Sequence, residues 1–254
     1  MKNIIFSFLL VLISFNGYSQ TTKVLNGNNE NEFIKRSSPS GLVYYKNELY
    51  TGIIEYFHEN GQLLSKCSFL NGNQNGVWEY YNEDGQLSRK SPYLNGKPDG
   101  VWEIYYNTGQ LRSEEFYLKG KWTRVKHYRV NGQLWFEGPY LNGKKNGVWK
   151  GYNENGQLSY KESYLNGQRN GVYEEYWDKD GKYYWDNEKI SIKGSYLNNK
   201  KNGVWNYFYS DGTINEVGSY LNDKKNGVWK IFDYDTKKIT KITYKNGDVI
   251  DMTD

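Results

Sequence analysis

Tyr140–Leu158 reads YLNGKKNGVWKGYNENGQL, and the same phrase recurs along most of the chain. With the Gly before Val-Trp as marker, it falls at Gly52, Gly76, Gly100, Gly147, Gly171, Gly203 and Gly227. Successive markers are 24, 24, 47, 24, 32 and 24 residues apart, and the step of 47 holds one worn unit at Lys121–Tyr128. A fixed period of this size is the mark of a repeat architecture. Eight units follow from it, with a partial unit at Gly41–Leu49.

Each unit carries two turn signals: Asn-Gly-x-x-Asn-Gly, as at Asn142–Gly147, and Asn-Glu-Asn-Gly, as at Asn153–Gly156. Asn and Gly tolerate the positive φ that tight hairpins need. Between the signals lie short runs of Val, Trp, Tyr and Leu, the composition of strands. The chain contains no Ala, and Gly or Asn interrupts most windows of helical length outside the N-terminal segment. The expected fold is all-β: an elongated single-layer antiparallel β-meander of stacked hairpin repeats. With strands about 4.8 Å apart, eight units span roughly 75–80 Å. Such a ribbon has no room for a thick core, and the 18% aromatic content fits a fold that packs large rings against one another. Alternation places Val148, Lys150 and Tyr152 on one face and Trp149 on the other. The aromatic three after the Trp position recurs as Phe57, Tyr81, Tyr105, Tyr152, Tyr176, Phe208 and Phe232.

The units GVWEYYNEDGQLSRKSPYLNGKPDG (76–100) and the opening GLVYYKNELYTGIIEYFHENGQL (41–63) resemble MORN-repeat variants, as found in YwqK-type antitoxin-like proteins. The resemblance covers about residues 41–250. It implies a non-enzymatic binding or antitoxin-like protein.

Met1–Gln20 has the form of a secretion signal: Lys2, an apolar run Ile4–Phe15, and the small-x-small site Gly17-Tyr18-Ser19. The apolar run is too short to span a bilayer. No Cys stands at the site, so a lipoprotein is not expected. The domain reading is signal peptide 1–19, linker 20–40, repeat domain 41–250 and tail 251–254. The localisation expected is secreted or periplasmic in a bacterium, with no transmembrane segment after cleavage. The mature chain would carry 32 basic and 29 acidic side chains. Cys67, the one cysteine, makes no internal disulfide.

Stacked hairpins gather the two turn types on opposite rims. The first rim is basic: Lys97, Lys119, Lys121, Lys144, Lys145, Arg169, Lys200, Lys201, Lys224 and Lys225. The second is acidic: Glu59, Glu83, Asp84, Glu154, Asp178, Asp180 and Asp211. Units about 9.6 Å apart keep neighbouring rim charges within a Debye length. The end, Lys237–Tyr244, reads KKITKITY and is expected as a terminal strand with Lys on its outer side.

Chemistry is sparse. His58 and His127 lie about three units apart, too far to share a metal. No nucleophile set, P-loop or dinucleotide fingerprint occurs. No enzyme, metal or cofactor is expected, and export argues against nucleic acid. The evenly spaced Trp78, Trp102, Trp149, Trp205 and Trp229 read as a structural ladder. Trp122, Trp135 and Trp177 lie off it, as do Tyr183, Tyr184 and Trp185 in an insertion ending at Lys189. These, with Lys144, Lys145, Lys200, Lys201, Lys224 and Lys225, are the candidate partner-binding residues. The function expected is an exported protein-binding scaffold, antitoxin- or immunity-like. The alternatives are a binder of anionic envelope glycan or lipid headgroups, or a purely structural envelope protein. If the insertion recognises the partner, deleting Tyr183–Lys189 abolishes partner binding in a pull-down and leaves the melting temperature almost unchanged; undiminished binding contradicts that role.

Overall fold

The structure, a computed structural model, describes residues 24–29, 34–37, 40–177 and 189–253. The signal segment Met1–Gln20 and the insertion residues 178–188, including Tyr183, Tyr184, Trp185, Asp178 and Asp180, lie outside the described residues.

All regular structure among the described residues is strand and turn. In a 22-stranded sheet, 21 strands run in chain order from Gly52–Phe57 to Asp248–Thr253, every pairing among them antiparallel. Val24–Asn26 adds one parallel strand beside Gly52–Phe57. A separate three-stranded sheet, Ile34–Arg36, Val43–Tyr45 and Glu48–Leu49, abuts its start. Val43 N–H donates to the Gly72 carbonyl (2.8 Å) and Gly72 N–H to the Tyr50 carbonyl (2.8 Å), tying the two sheets together. Val24–Asn26 and Ile34–Arg36 fall within the stretch expected as linker.

The long sheet is the meander of stacked hairpins that the repeat demands. Its tight turns are two-residue turns in which both residues have positive φ, as at Asn142 (50°) and Gly143 (73°). That is the hairpin turn matched to strand twist, and Asn-Gly is its preferred occupant. The second Asn-Gly of the motif is not part of the turn. Leu141 pairs with Lys144 and Tyr140 with Lys145, so both lysines belong to a strand. Asn146-Gly147 is then a β-bulge, with Gly147 at φ 87°. The bulge side chain reaches the next unit: Asn146 Oδ1 accepts from Asn166 N–H (3.3 Å), as Asp99 does from Lys119 and Asn75 from Asn95. The turns also bond one another through backbone, Gly167 N–H to the Lys145 carbonyl (2.8 Å) and Gly247 to that of Lys225 (2.9 Å). The second loop closes in the same way in most units, as Asn153 N–H to the Gln157 carbonyl (2.9 Å), and is one residue longer in the last, Asp233 N–H to the Lys238 carbonyl (3.0 Å).

The end of the sheet corrects one expectation. Ile239–Lys245 is not the last strand; it pairs with Asp248–Thr253, a strand without lysine. The sequence Asn246-Gly247 forms another positive-φ turn, at 54° and 97°, so the chain starts one more half-unit.

The core is one row of rings on one face. Trp149, Trp205 and Trp229 are 2%, 1% and 0% exposed, although the sheet has a single layer there. Three contacts achieve this. Each indole lies flat on the preceding strand, where Gly138, Gly194 and Gly218 leave space that a Cβ would fill. Each Nε1–H donates to a carbonyl of that strand: Trp78 to Ser68, Trp102 to Pro92, Trp149 to Pro139, Trp205 to Ser195 and Trp229 to Ser219, at 2.9–3.3 Å. Tyr rings from both neighbouring strands close the sides, as Tyr220 and Tyr244 do around Trp229 at 5.0 and 6.2 Å. In the worn unit Val125, 2% exposed, takes the place of Trp opposite Gly138. At the start of the array Ile54 and Cys67 fill the Trp and Gly positions within a larger apolar cluster.

Gly218→Ala forces a methyl group into the Trp229 ring and should destabilise the fold by about 1–3 kcal/mol, while Trp229→Ala should cost about 3–5 kcal/mol. Urea unfolding checks both; a loss below about 0.5 kcal/mol for Gly218→Ala contradicts the packing described.

Candidate interaction surfaces

The rings of the Trp face are roofed by cations. Tyr140 pairs with Lys145, Tyr196 with Lys201 and Tyr220 with Lys225, so strand alternation sends these lysines to the Trp face. Their ammonium groups stand 4.0, 4.2 and 3.9 Å from the centroids of Trp149, Trp205 and Trp229. A cation over an indole face is attractive, and the lysine stem shields the ring from water. Lys144, Lys200 and Lys224 point the other way and are exposed, in line with exposed Lys97 and Lys121. The six lysines expected to act together therefore divide into three that complete the core and three that face solvent.

The off-ladder aromatics do not converge. Trp122 occupies the lysine position of the worn unit and stacks on Tyr140 with centroids 3.8 Å apart; its Nε1–H donates to the Arg124 carbonyl (3.0 Å). Trp135 is the extra residue of a bulge between Leu134 and Phe136, which pair with Tyr128 and His127; it is 48% exposed, with the Arg129 guanidinium 5.2 Å from its ring. Trp177 is 47% exposed, and its N–H donates to the Lys189 carbonyl (3.0 Å), joining the two ends of the insertion.

The face opposite the indoles, termed the ladder face for the rungs of charge that cross it, carries a feature that register alone reveals. One residue from each strand lines up in a transverse row: Glu55 faces Lys66, which faces Glu79, which faces Lys90, which faces Glu103. The row continues through Glu114, Lys126, Glu137, Lys150, Lys161, Glu174 and Lys193. Ion pairs form along it, Lys126 with Glu114 (3.2 Å) and Lys193 with Glu174 (2.9 Å). The recurring aromatic beside the row supplies hydroxyls: Tyr81 donates to Glu79 (3.0 Å), Tyr105 to Glu103 (2.7 Å), Tyr128 to Glu114 (2.6 Å) and Tyr152 to Glu137 (3.1 Å). Burial first, and then the bond to its glutamate, pushes the phenols of Tyr81 and Tyr105 up to about 12. Glu137 is held low by Arg124 and Tyr152 against the opposing effect of burial.

Flanking this charged row, the ladder face exposes apolar side chains in register. Leu94, Leu118, Leu141, Leu165, Leu197 and Leu221 precede the tight turns and are 46–59% exposed. Val77, Val148, Val172, Val204 and Val228, beside the buried Trp in sequence, are 47–56% exposed. Sequence reasoning missed these rows. The signal was present in the alternation of Val with Trp and of Leu with Tyr, which assigns each pair to opposite faces.

Elsewhere several polar and titratable groups are held within the fold. Glu162, 5% exposed, meets Arg169 Nε at 2.5 Å and accepts from Tyr164 (2.6 Å). His58 Nε2 meets the Tyr81 carbonyl at 3.0 Å. His127 stacks on Phe136 at 4.6 Å, and burial, then the nearby Arg112, lowers its pKa. Burial pushes the Cys67 thiol up to about 11. Among the described residues, no three His, Cys, Asp or Glu side chains are grouped to hold a metal.

The MORN repeat variant model matches residues 50–71, 74–95, 98–119, 145–166 and 201–222. Each matched stretch takes in one four-residue loop and ends at a tight turn. A comparison with curated proteins finds none that matches.

The raised phenols have a consequence for stability. A group that holds its proton more tightly when folded stabilises the fold below its unfolded pKa, near 10, and that contribution is lost as pH rises through the folded value. Stability should therefore fall between pH 10 and about 12, and the double change Tyr81→Phe, Tyr105→Phe should flatten the slope in that window. An unchanged slope in unfolding curves across it contradicts the tyrosine–glutamate bonds.

Proposed function

The chain is built of MORN repeat variant units, and on that premise we propose that it is an exported, non-enzymatic scaffold that holds a partner protein in the bacterial periplasm or outside the cell, as an immunity protein or antitoxin does. The observation that carries this reading is the exposed apolar rows of the ladder face. Folding leaves Leu141, Leu165 and Leu197 about half in water at the same place in successive units. Apolar side chains exposed in a continuous array, rather than singly, are characteristic of protein-binding surfaces. A scaffold role agrees with the family, whose members are generally non-enzymatic. Export rests on the signal pattern of Met1–Gln20.

A second reading has its own observation. Lys97, Lys121, Lys144, Lys200 and Lys224 stand exposed beside the same turns, and a basic edge of this kind attracts anionic glycan or lipid headgroups. The two readings separate in one experiment. The tagged chain is recovered from periplasm and culture medium, beside a variant carrying Leu141→Asn, Leu165→Asn and Leu197→Asn. A stoichiometric protein retained by the wild type and lost by the variant, with each exposed change altering stability by less than about 0.5 kcal/mol, supports the scaffold. Retention of glycan or lipid without any protein, equal in both forms, contradicts it.

A further inference from the structure

The charged row of the ladder face loses its acids toward the C-terminus. Beyond Lys193 it reads Asn206, Val217, Lys230 and Lys241. Like charges meet in register elsewhere in the row, but each such pair has opposite charges on its far sides. Lys150 and Lys161 lie between Glu137 and Glu174. Glu103 and Glu114 lie between Lys90 and Lys126. Lys230 and Lys241 face each other with Val217 on one side and Thr253 on the other. Like charges directly opposite on neighbouring strands destabilise a sheet. Both lysines are exposed, and nothing in the fold requires two cations there.

The surrounding polarity changes at the same point. Where the row carries acids within reach, the recurring aromatic is Tyr81, Tyr105, Tyr128, Tyr152 or Tyr176, each donating its hydroxyl to a glutamate, with Phe57 beside Glu55 at the opposite end the exception. Beside Asn206 and Lys230 it is Phe208 and Phe232. Val228, 52% exposed, borders the pair, and Val204, 56% exposed, lies on the strand beyond Val217. The face that is charge-balanced over the rest of the sheet thus becomes cationic and apolar over its last two units, with Asp251, opposite Thr243, a carboxylate of the last strand that lies diagonal to Lys241 and not across from it.

We propose that the ladder face around Lys230, Lys241, Val204, Val217 and Val228 is a docking surface for an acidic segment of a partner protein, one that alternates carboxylates with apolar side chains. The site rests on the scaffold reading and names the chemistry of its partner. Charge complementarity selects an anion. The valines select a protein over a lipid surface, because the longer lysines beside them hold a membrane away from such short side chains, whereas a protein's own side chains reach between. A partner carboxylate between Lys230 and Lys241 restores the alternation that the row keeps elsewhere.

The acid that the sheet lacks also provides the test. Lys230→Glu supplies it from within, so the variant should melt roughly 1–4 °C higher than the wild type. The same variant should bind a short fluorescent peptide of alternating Glu and Val about tenfold more weakly, or worse, by anisotropy. Wild-type binding should weaken as salt rises past about 0.15 M. The double change Lys97→Gln, Lys121→Gln lowers the net charge by the same two units away from the patch and should leave peptide binding within about twofold. Equal binding by wild type and Lys230→Glu, or an equal loss in the Lys97, Lys121 variant, overturns the site. So does binding of phosphatidylglycerol vesicles in preference to the peptide, or self-association that Lys230→Glu abolishes. A natural protein partner retained by both wild type and Lys230→Glu leaves the scaffold reading intact and removes the patch alone.

Discussion

The structure depends on a tryptophan laid flat on the backbone of the strand before it. A single sheet has two wet faces, and a fold with no second layer has to bury apolar surface against itself. Here each indole rests where the preceding strand offers Gly, Ser or Cys and bonds that strand through Nε1–H, and Trp149, Trp205 and Trp229 are each roofed by a lysine from their own strand. A side chain that is 0% exposed in a one-layer sheet follows from those three contacts together. Burial of an indole is among the largest single contributions available to a small unit. Because each ring sits on one neighbour and is flanked by the next, the contact also links units in series, as expected where stability is a sum of local and interface terms.

Satisfying one face in this way leaves the other available. The ladder face supports its own charges by alternating acids and bases across the strands and by tying glutamates to tyrosine hydroxyls. Individual exposed ion pairs contribute little, so the row acts mainly to keep like charges apart. That makes a break in the alternation informative. Residues held in a mildly unfavourable arrangement without a structural reason point to a role outside the fold, and the cationic, apolar end of the ladder face has that character.

Much of the architecture can be read from the repeat. The period gives the unit, Asn-Gly gives the tight turns, and the strict spacing of Trp78, Trp102, Trp149, Trp205 and Trp229 marks them as structural, as their common hydrogen bond shows. The errors have physical causes. Asn-Gly serves a bulge as readily as a turn, so Asn142–Gly147 reads as one loop, and Lys144 and Lys145 seem to share a rim when alternation sends them to opposite faces. KKITKITY resembles an edge until the half-unit after it is paired. The charged row was invisible because its members lie 11 to 19 residues apart, as Glu55 from Lys66 and Glu174 from Lys193, and become neighbours only once bulges set the register.

The central claim is that the five ladder indoles are locked by the same hydrogen bond to the preceding strand. Hydrogen exchange of the indole N–H groups, followed by NMR, tests it most directly. Protons held in a buried bond exchange only when the structure opens. Slow exchange of the Trp78, Trp102, Trp149, Trp205 and Trp229 indoles, against rapid exchange at exposed Trp135 and Trp177, is the predicted result. Equally rapid exchange at all seven would contradict the account.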